Sequence, residues 1–155
     1  MAMLAAGGTA AAEGRASVAI AEFSYKDTSG EVRDQTADHR VWLDMLRRLM
    51  REDVEGSGKF ILADLQCAAS ECAVEDGAAS EALVAAARKA GARYLVVVGV
   101  QKMSTLIQWA RLLVLDVKDN KVILDRLVTF RGDNEEAWRH AALFLAHHVN
   151  GIAVQ

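Results

Sequence analysis

Eight polar residues stand at two joints of this sequence where chemistry could be done. Asp27, Thr28 and Ser29 follow one apolar run, and Gln101, Lys102, Ser104, Gln108 and Arg131 surround the turns that follow another. A central strand of an open α/β sheet that turns polar at its C-terminal end, next to a switch in strand direction, is where such sheets present ligands or partners. An amine, a carboxylate and a hydroxyl in one cleft (Lys102, Asp27 and Ser104) could hold a small ligand or move a proton. The same residues would equally serve to finish a hairpin and solvate its rim.

The other chemistry-bearing residues point away from catalysis. His140 and His147 lie two turns apart on one helical stretch, not at the i, i+4 spacing that two metal-ligating histidines need, and His147 and His148 suit a helix C-terminus. Asp27, Ser29, Glu31, Asp34 and Asp38 imitate a calcium loop, but the sixth position is Val32 where glycine is needed and the twelfth is Asp38 where glutamate belongs. There is no G-x-S-x-G elbow, and Gly56-Ser57-Gly58 stands alone before a strand instead of opening a phosphate loop. Arg131-Gly132-Asp133 reads as a strand end, a glycine turn and a helix N-cap. The expectation is no catalytic residue, no cofactor and no metal, hence a non-enzymatic protein.

Cys67 and Cys72 have no histidine nearby to complete a zinc site and lack C-x-x-C redox spacing. Their four-residue spacer lets the Cα atoms approach within bonding range, so a disulfide in an oxidising compartment is expected. With 155 residues, half of them apolar, and a net charge of −3, the chain suits one globular domain. No run of Lys or Arg exceeds two, which removes the footprint of a nucleic-acid binder, and no apolar run is long enough to span a bilayer. Residues 1–15 read as a flexible segment or the remnant of a signal peptide, with Ala10-Ala11-Ala12 before Glu13 resembling a cleavage site although the basic n-region is missing. Residues 16–153 are expected to form the domain.

The elements that must position these residues follow from hydrophobic period. Ser17–Ser24 is apolar on both alternations, as a central strand covered on both faces should be. Asp38 is expected to cap a helix running to about Asp53, with Trp42, Met45, Leu46, Leu49 and Met50 inward. Lys59–Leu65 gives a second strand. Ser80 caps a second helix that Gly91 ends, and Tyr94–Val100 is a buried third strand. Leu106–Val117 and Lys121–Arg131 form a hairpin about Asp119-Asn120; pairing Val117 with Val122 would set Trp109 opposite Phe130 on a face that meets a helix. Asp133 and Glu136 propose a capping box for a last helix to about Val149, with Trp138 inward. The result is an α/β (α+β) fold, β-α-β-α-β-β-β-α, with a five-stranded mixed sheet in the order 2-1-3-4-5 and helices on both faces.

Laid out in this way, Val18–Phe23 (VAIAEF), Gly91–Gly99 (GARYLVVVG) and Leu115–Val122 (LDVKDNKV) resemble the N-terminal domain of TolB and the related envelope modules of CsgG and LpoB. Asp27-Thr28-Ser29, the cysteine pair, Gly99–Ser104 with Leu106-Ile107, and Arg131-Gly132-Asp133 before Trp138 resemble a bacterial family of uncharacterised secreted proteins more closely, over about 130 residues. The resemblance implies a periplasmic accessory or protein-interaction domain of a bacterial envelope system; without the leader the location would be cytoplasmic. The alternative is a small-ligand or metal-binding protein, or a minor enzyme, using the cleft at the ends of the first and third strands. The expected partner is another envelope protein, with a homodimer through the exposed hairpin face as a further expectation, and neither nucleic acid nor a spanned membrane.

Overall fold

The structure is a computed structural model that describes residues 14–68, 70–74 and 78–154. The expected leader lies outside the described residues. Among these residues three helices and a mixed sheet follow in the order β1 (Ala16–Ile20), β2 (Ser24–Asp27), α1 (Thr36–Gly56), β3 (Phe60–Leu62), α2 (Glu81–Lys89), β4 (Tyr94–Lys102), β5 (Ile107–Asp116), β6 (Lys121–Arg131) and α3 (Glu135–Asn150). The sheet runs β3-β1-β4-β5-β6, with β1, β3 and β4 parallel and the two hairpins antiparallel. That is the expected order, but the sheet has six strands where five were expected.

The sixth arises because the first strand breaks. β1 and β2 both pair with β4 along one edge: Ile20 stands opposite Val96 and Ser24 opposite Gly99. Four steps on one strand thus meet three on the other, and Ala21, Glu22 and Phe23 bow out of the ladder. Carbonyls freed inside a protein need donors. Arg47 of α1 supplies them, donating from Nε to the Ala21 carbonyl at 3.1 Å and from Nη2 to that of Ile20 at 3.0 Å.

Two cores flank the sheet. On one face α1 (Met45, Leu46, Met50, Val54) and α3 (Trp138, Ala142, Leu145, Val149) cover Val18, Ile20, Tyr94, Val96, Val98, Leu112 and Val114. On the other, α2 contributes only Leu83 and Ala87 as buried residues, over Ala19, Leu95, Val97, Leu113 and Leu115. At nine residues α2 is short, and it leaves the far half of its face open.

Several expected details are corrected. α1 begins at Thr36, where Asp34 accepts from the Thr36 amide at 3.0 Å, so Asp38 sits in the first turn instead of capping it. The cap of α3 is Asn134, whose side chain accepts from the Ala137 amide at 2.9 Å; Asp133 is engaged elsewhere. The Ser80 cap and the left-handed Gly91 stand as expected, with φ at 76°. The hairpin turn spans Val117–Asn120, pairing Asp116 with Lys121, and a shift follows between Val114 and Leu115. Trp109 therefore faces Thr129, not Phe130; it shares the face of Leu113 and Leu115, beyond the reach of α2. β4 runs on through Gln101 and Lys102, so the expected polar break at Gln101 lies within the ladder, opposite Trp109 and Gln108.

Candidate functional site

Where β4 ends, the segment 28–35 crosses from β2 to α1 and closes over a buried polar cluster. Lys102, fully buried, sends its ammonium toward the α1/α3 face. There it donates to Glu31 Oε2, to Gln35 Oε1 at 2.7 Å and to Asp133 Oδ2 at 2.7 Å. His39 Nε2 lies 2.9 Å from both Asp133 oxygens, and Trp138 Nε1 donates to Asp133 Oδ1 at 3.3 Å. Rings seal the cluster: Tyr25 and Trp42 pack on His39, and Phe130 lies edge-on to Trp138.

The electrostatics of the pair are set by donors winning over burial. Burial alone pushes the Lys102 pKa down, but its bonds to Asp133 and Glu31 reverse this and hold it above its ordinary value. Burial pushes Asp133 up; donors from Lys102, His39 and Trp138 hold it below the usual carboxylate range. Tyr25 is raised by burial and then by Asp27, Asp133 and Glu31, so its hydroxyl stays protonated through neutral pH. That hydroxyl, like both amide atoms of the buried Gln108, finds no partner among the described residues.

The eight expected rim residues are divided, not gathered. Lys102 and Gln108 are buried neighbours across the β4–β5 ladder. Thr28 clamps the end of β4, its amide and hydroxyl both donating to the Lys102 carbonyl, and its oxygen accepting from Gln101 Nε2 at 3.0 Å. Asp27 folds back on Ser29, accepting its amide at 2.9 Å and its hydroxyl at 2.6 Å. Ser104 closes the β4–β5 turn by accepting from the Ile107 amide. Arg131 is exposed at the end of β6. Lys102 is thus buried in the cluster, Asp27 lines the space beside α1, and Ser104 lies in the β4–β5 turn. Sequence reasoning missed Glu31, Gln35, His39 and Asp133. The signal for His39 was present, since His39, Trp42 and Leu46 fall at i, i+3 and i+7 on the buried stripe of α1.

Two open spaces flank the cluster. A cleft of 610 Å³ lies between segment 28–35 and α1, lined by Tyr25, Asp27, Glu31, Gln35, His39 and Leu43. On the opposite face, where α2 does not reach, a groove of 390 Å³ exposes Trp109 and Leu127 beside Gln101, Gly99 and the Arg111–Asp125 ion pair. Among the described residues no three His, Cys, Asp or Glu side chains converge as a metal would require, and no helix is long and apolar enough to cross a membrane. Cys67 and Cys72 form a disulfide, with Cα atoms 5.9 Å apart.

A sequence profile of the family DUF3280, described as "Protein of unknown function (DUF2380)", matches residues 16–149, from the first residue of β1 into the last turn of α3. The chain belongs to that family. No functionally curated protein matches it in sequence. Among solved structures, the hypothetical protein CT253 from Chlamydia trachomatis is similar at a TM-score of 0.64 and 12% identity, over 88% of this chain and 96% of that one. The PelC dodecamer from Paraburkholderia phytofirmans is similar at 0.54 and 14% identity, over 88% and 86%. TolB from Acinetobacter baumannii follows at 0.49 and 15% identity, over 86% of this chain and 28% of that one. A family of unknown function is the part of the expectation that this match supports, and at these identities the structural likenesses speak to fold alone.

Proposed function

We propose that this chain is a non-enzymatic accessory domain of a bacterial envelope system, working in the periplasm by holding a partner protein on the open half of its sheet. One observation carries this reading. Lys102, Asp27, Thr28 and Ser104 are engaged in bonds within the fold, whereas Trp109 (36% exposed) and Leu127 (60% exposed) stand in a groove that the fold leaves uncovered. An amine with three acceptors and no solvent contact neither attacks a substrate nor accepts a proton from one. An apolar floor rimmed by Gln101 and Arg111 suits a partner segment that lays one apolar side chain on Trp109 and hydrogen-bonds at the rim. The Cys67–Cys72 disulfide supports an oxidising compartment. The sequence resemblance to TolB, CsgG and LpoB supports the envelope, and the PelC dodecamer shows a similar fold used in assembly.

The test is capture of partners from periplasmic extract by the oxidised domain carrying Trp109→Glu and Leu127→Glu, beside Val41→Glu on α1 as an exposed control outside the groove. Loss of a specific captured protein with the groove variants alone is expected. Equal capture by all variants would sink this reading.

A second reading has one observation in its favour: Tyr25, whose buried hydroxyl has no partner among the described residues, lines the 610 Å³ cleft. A small ligand held there should raise stability by about 2.7 kcal/mol at a hundredfold excess over its Kd. A thermal-shift screen of metabolites that leaves the melting temperature unmoved would dismiss it.

A further inference from the structure

β6 is the last strand of the sheet, and its eleven residues have β5 on one side and no strand on the other among the described residues. Such an edge offers a row of unpaired N–H and C=O groups to any extended chain. Proteins blunt such edges with charged side chains, proline, bulges or very short strands. The opposite edge of this sheet, β3, is blunted in the last of these ways, at three residues. β6 is not. The chain contains no proline, the only register shift lies at the turn end beside Val114 and Leu115, and pairing with β5 is unbroken from Leu124 to Arg131. That regular stretch also carries Leu127, Val128 and Phe130.

We propose that β6 pairs antiparallel with β6 of a second copy of this chain, centred on Val128, so that two sheets become one sheet with two-fold symmetry. The symmetry restricts the register. An axis perpendicular to the sheet keeps each face on its own side, so only residues of the same parity can stand opposite one another. Within that set, charge selects. Pairing centred on Asp125 or on Arg126 would set like charges face to face. Pairing centred on Leu127 forms no ion pair. Pairing centred on Val128 places Asp125 opposite Arg131 of the second copy, twice over, with Leu127 opposite Thr129 and Arg126 opposite the ring of Phe130. Beside the same edge Phe144 of α3 is 50% exposed, packed edge-on at 4.8 Å against His148, which shares a cleft with Ile123, Leu124 and Arg126 of β6. An aromatic ring is therefore left bare in the layer that a second copy would extend.

The proposal deepens the reading of the hairpin as an interaction surface and rests on it only in that respect. Partner capture tests that reading, and the mass of the purified chain tests this one. Light scattering on the oxidised full chain is expected to give twice the chain mass. Arg131→Glu, which sets two carboxylates opposite each other, should weaken association by roughly tenfold or more, and Arg131→Lys should restore it. For the register, Leu127→Cys chains mixed with Thr129→Cys chains should crosslink on oxidation, while neither variant does so alone. A chain that stays monomeric, an assembly unaffected by Arg131→Glu, or a crosslink between Leu127→Cys chains alone would each overturn the proposal.

Discussion

Lys102 carries a positive charge into a space that water does not reach, and Glu31, Gln35 and Asp133 meet it there. Such a group is worth little compared with a well-packed apolar replacement, yet removing one partner strands the others. Lys102→Met should therefore lower unfolding free energy by about 3–5 kcal/mol, read from urea denaturation. Adding Glu31→Gln and Asp133→Asn should recover most of that loss, because no buried charge would then lack a partner. A Lys102→Met chain as stable as the wild type would show that the cluster contributes nothing. The same residues set a pH dependence. Asp133 is held below its ordinary value, so its contribution is present above about pH 4 and disappears as pH falls through the lowered folded value. Lys102 is held above its ordinary value, so its contribution is present below about pH 10 and is lost as pH rises through the raised folded value. Across neutral pH these two groups should leave stability flat. Asp133→Asn should flatten the acid limb of urea midpoints measured from pH 2 to 7, and an acid limb as steep as that of the wild type would contradict this assignment.

At the scale of elements, the break between β1 and β2 is held by Arg47, and two charge-assisted bonds to carbonyls depend on it. Arg47→Met should cost about 1.5–3 kcal/mol, and Arg47→Lys should recover only part of this, since one ammonium cannot reproduce the fork. Thermal and urea unfolding of both variants would check it; an Arg47→Met chain of undiminished stability would refute the role. That break also shows why sequence reading stopped where it did. Ser17–Ser24 is apolar on both alternations, so an extra residue leaves no mark in the pattern. Strand order was legible because right-handed crossovers leave few choices. Hairpin register was not. Asp119-Asn120 suggests a two-residue turn, the structure uses four residues, and one step of slip set Thr129 opposite Trp109 and moved Phe130 to the other face, against Trp138. Asp133 and Asn134 are equally good caps in isolation. The buried Lys102 and His39, both distant in sequence, together with Trp138 hold Asp133 inward and leave Asn134 to cap. The site was therefore legible as a place, the end of β4, but not as a set of partners.

The whole molecule is a sheet with unequal coverings. α1 and α3 together bury a broad layer on one face, while the nine-residue α2 is held by Leu83 and Ala87 on the other. Local opening free energies follow buried apolar contact, so the two layers should not open together. Amide hydrogen exchange would report this directly. Protons of α2 should exchange through a sub-global opening of low free energy, those of α1 and α3 should approach the global limit, and β4, shared by both layers, should be slowest. Uniform protection across the three helices would contradict it. When α2 lifts, Leu95, Val97, Leu113 and Leu115 become continuous with Trp109 on a single bare face. The apolar area bared on this face would then be set by a breathing equilibrium rather than by the resting shape.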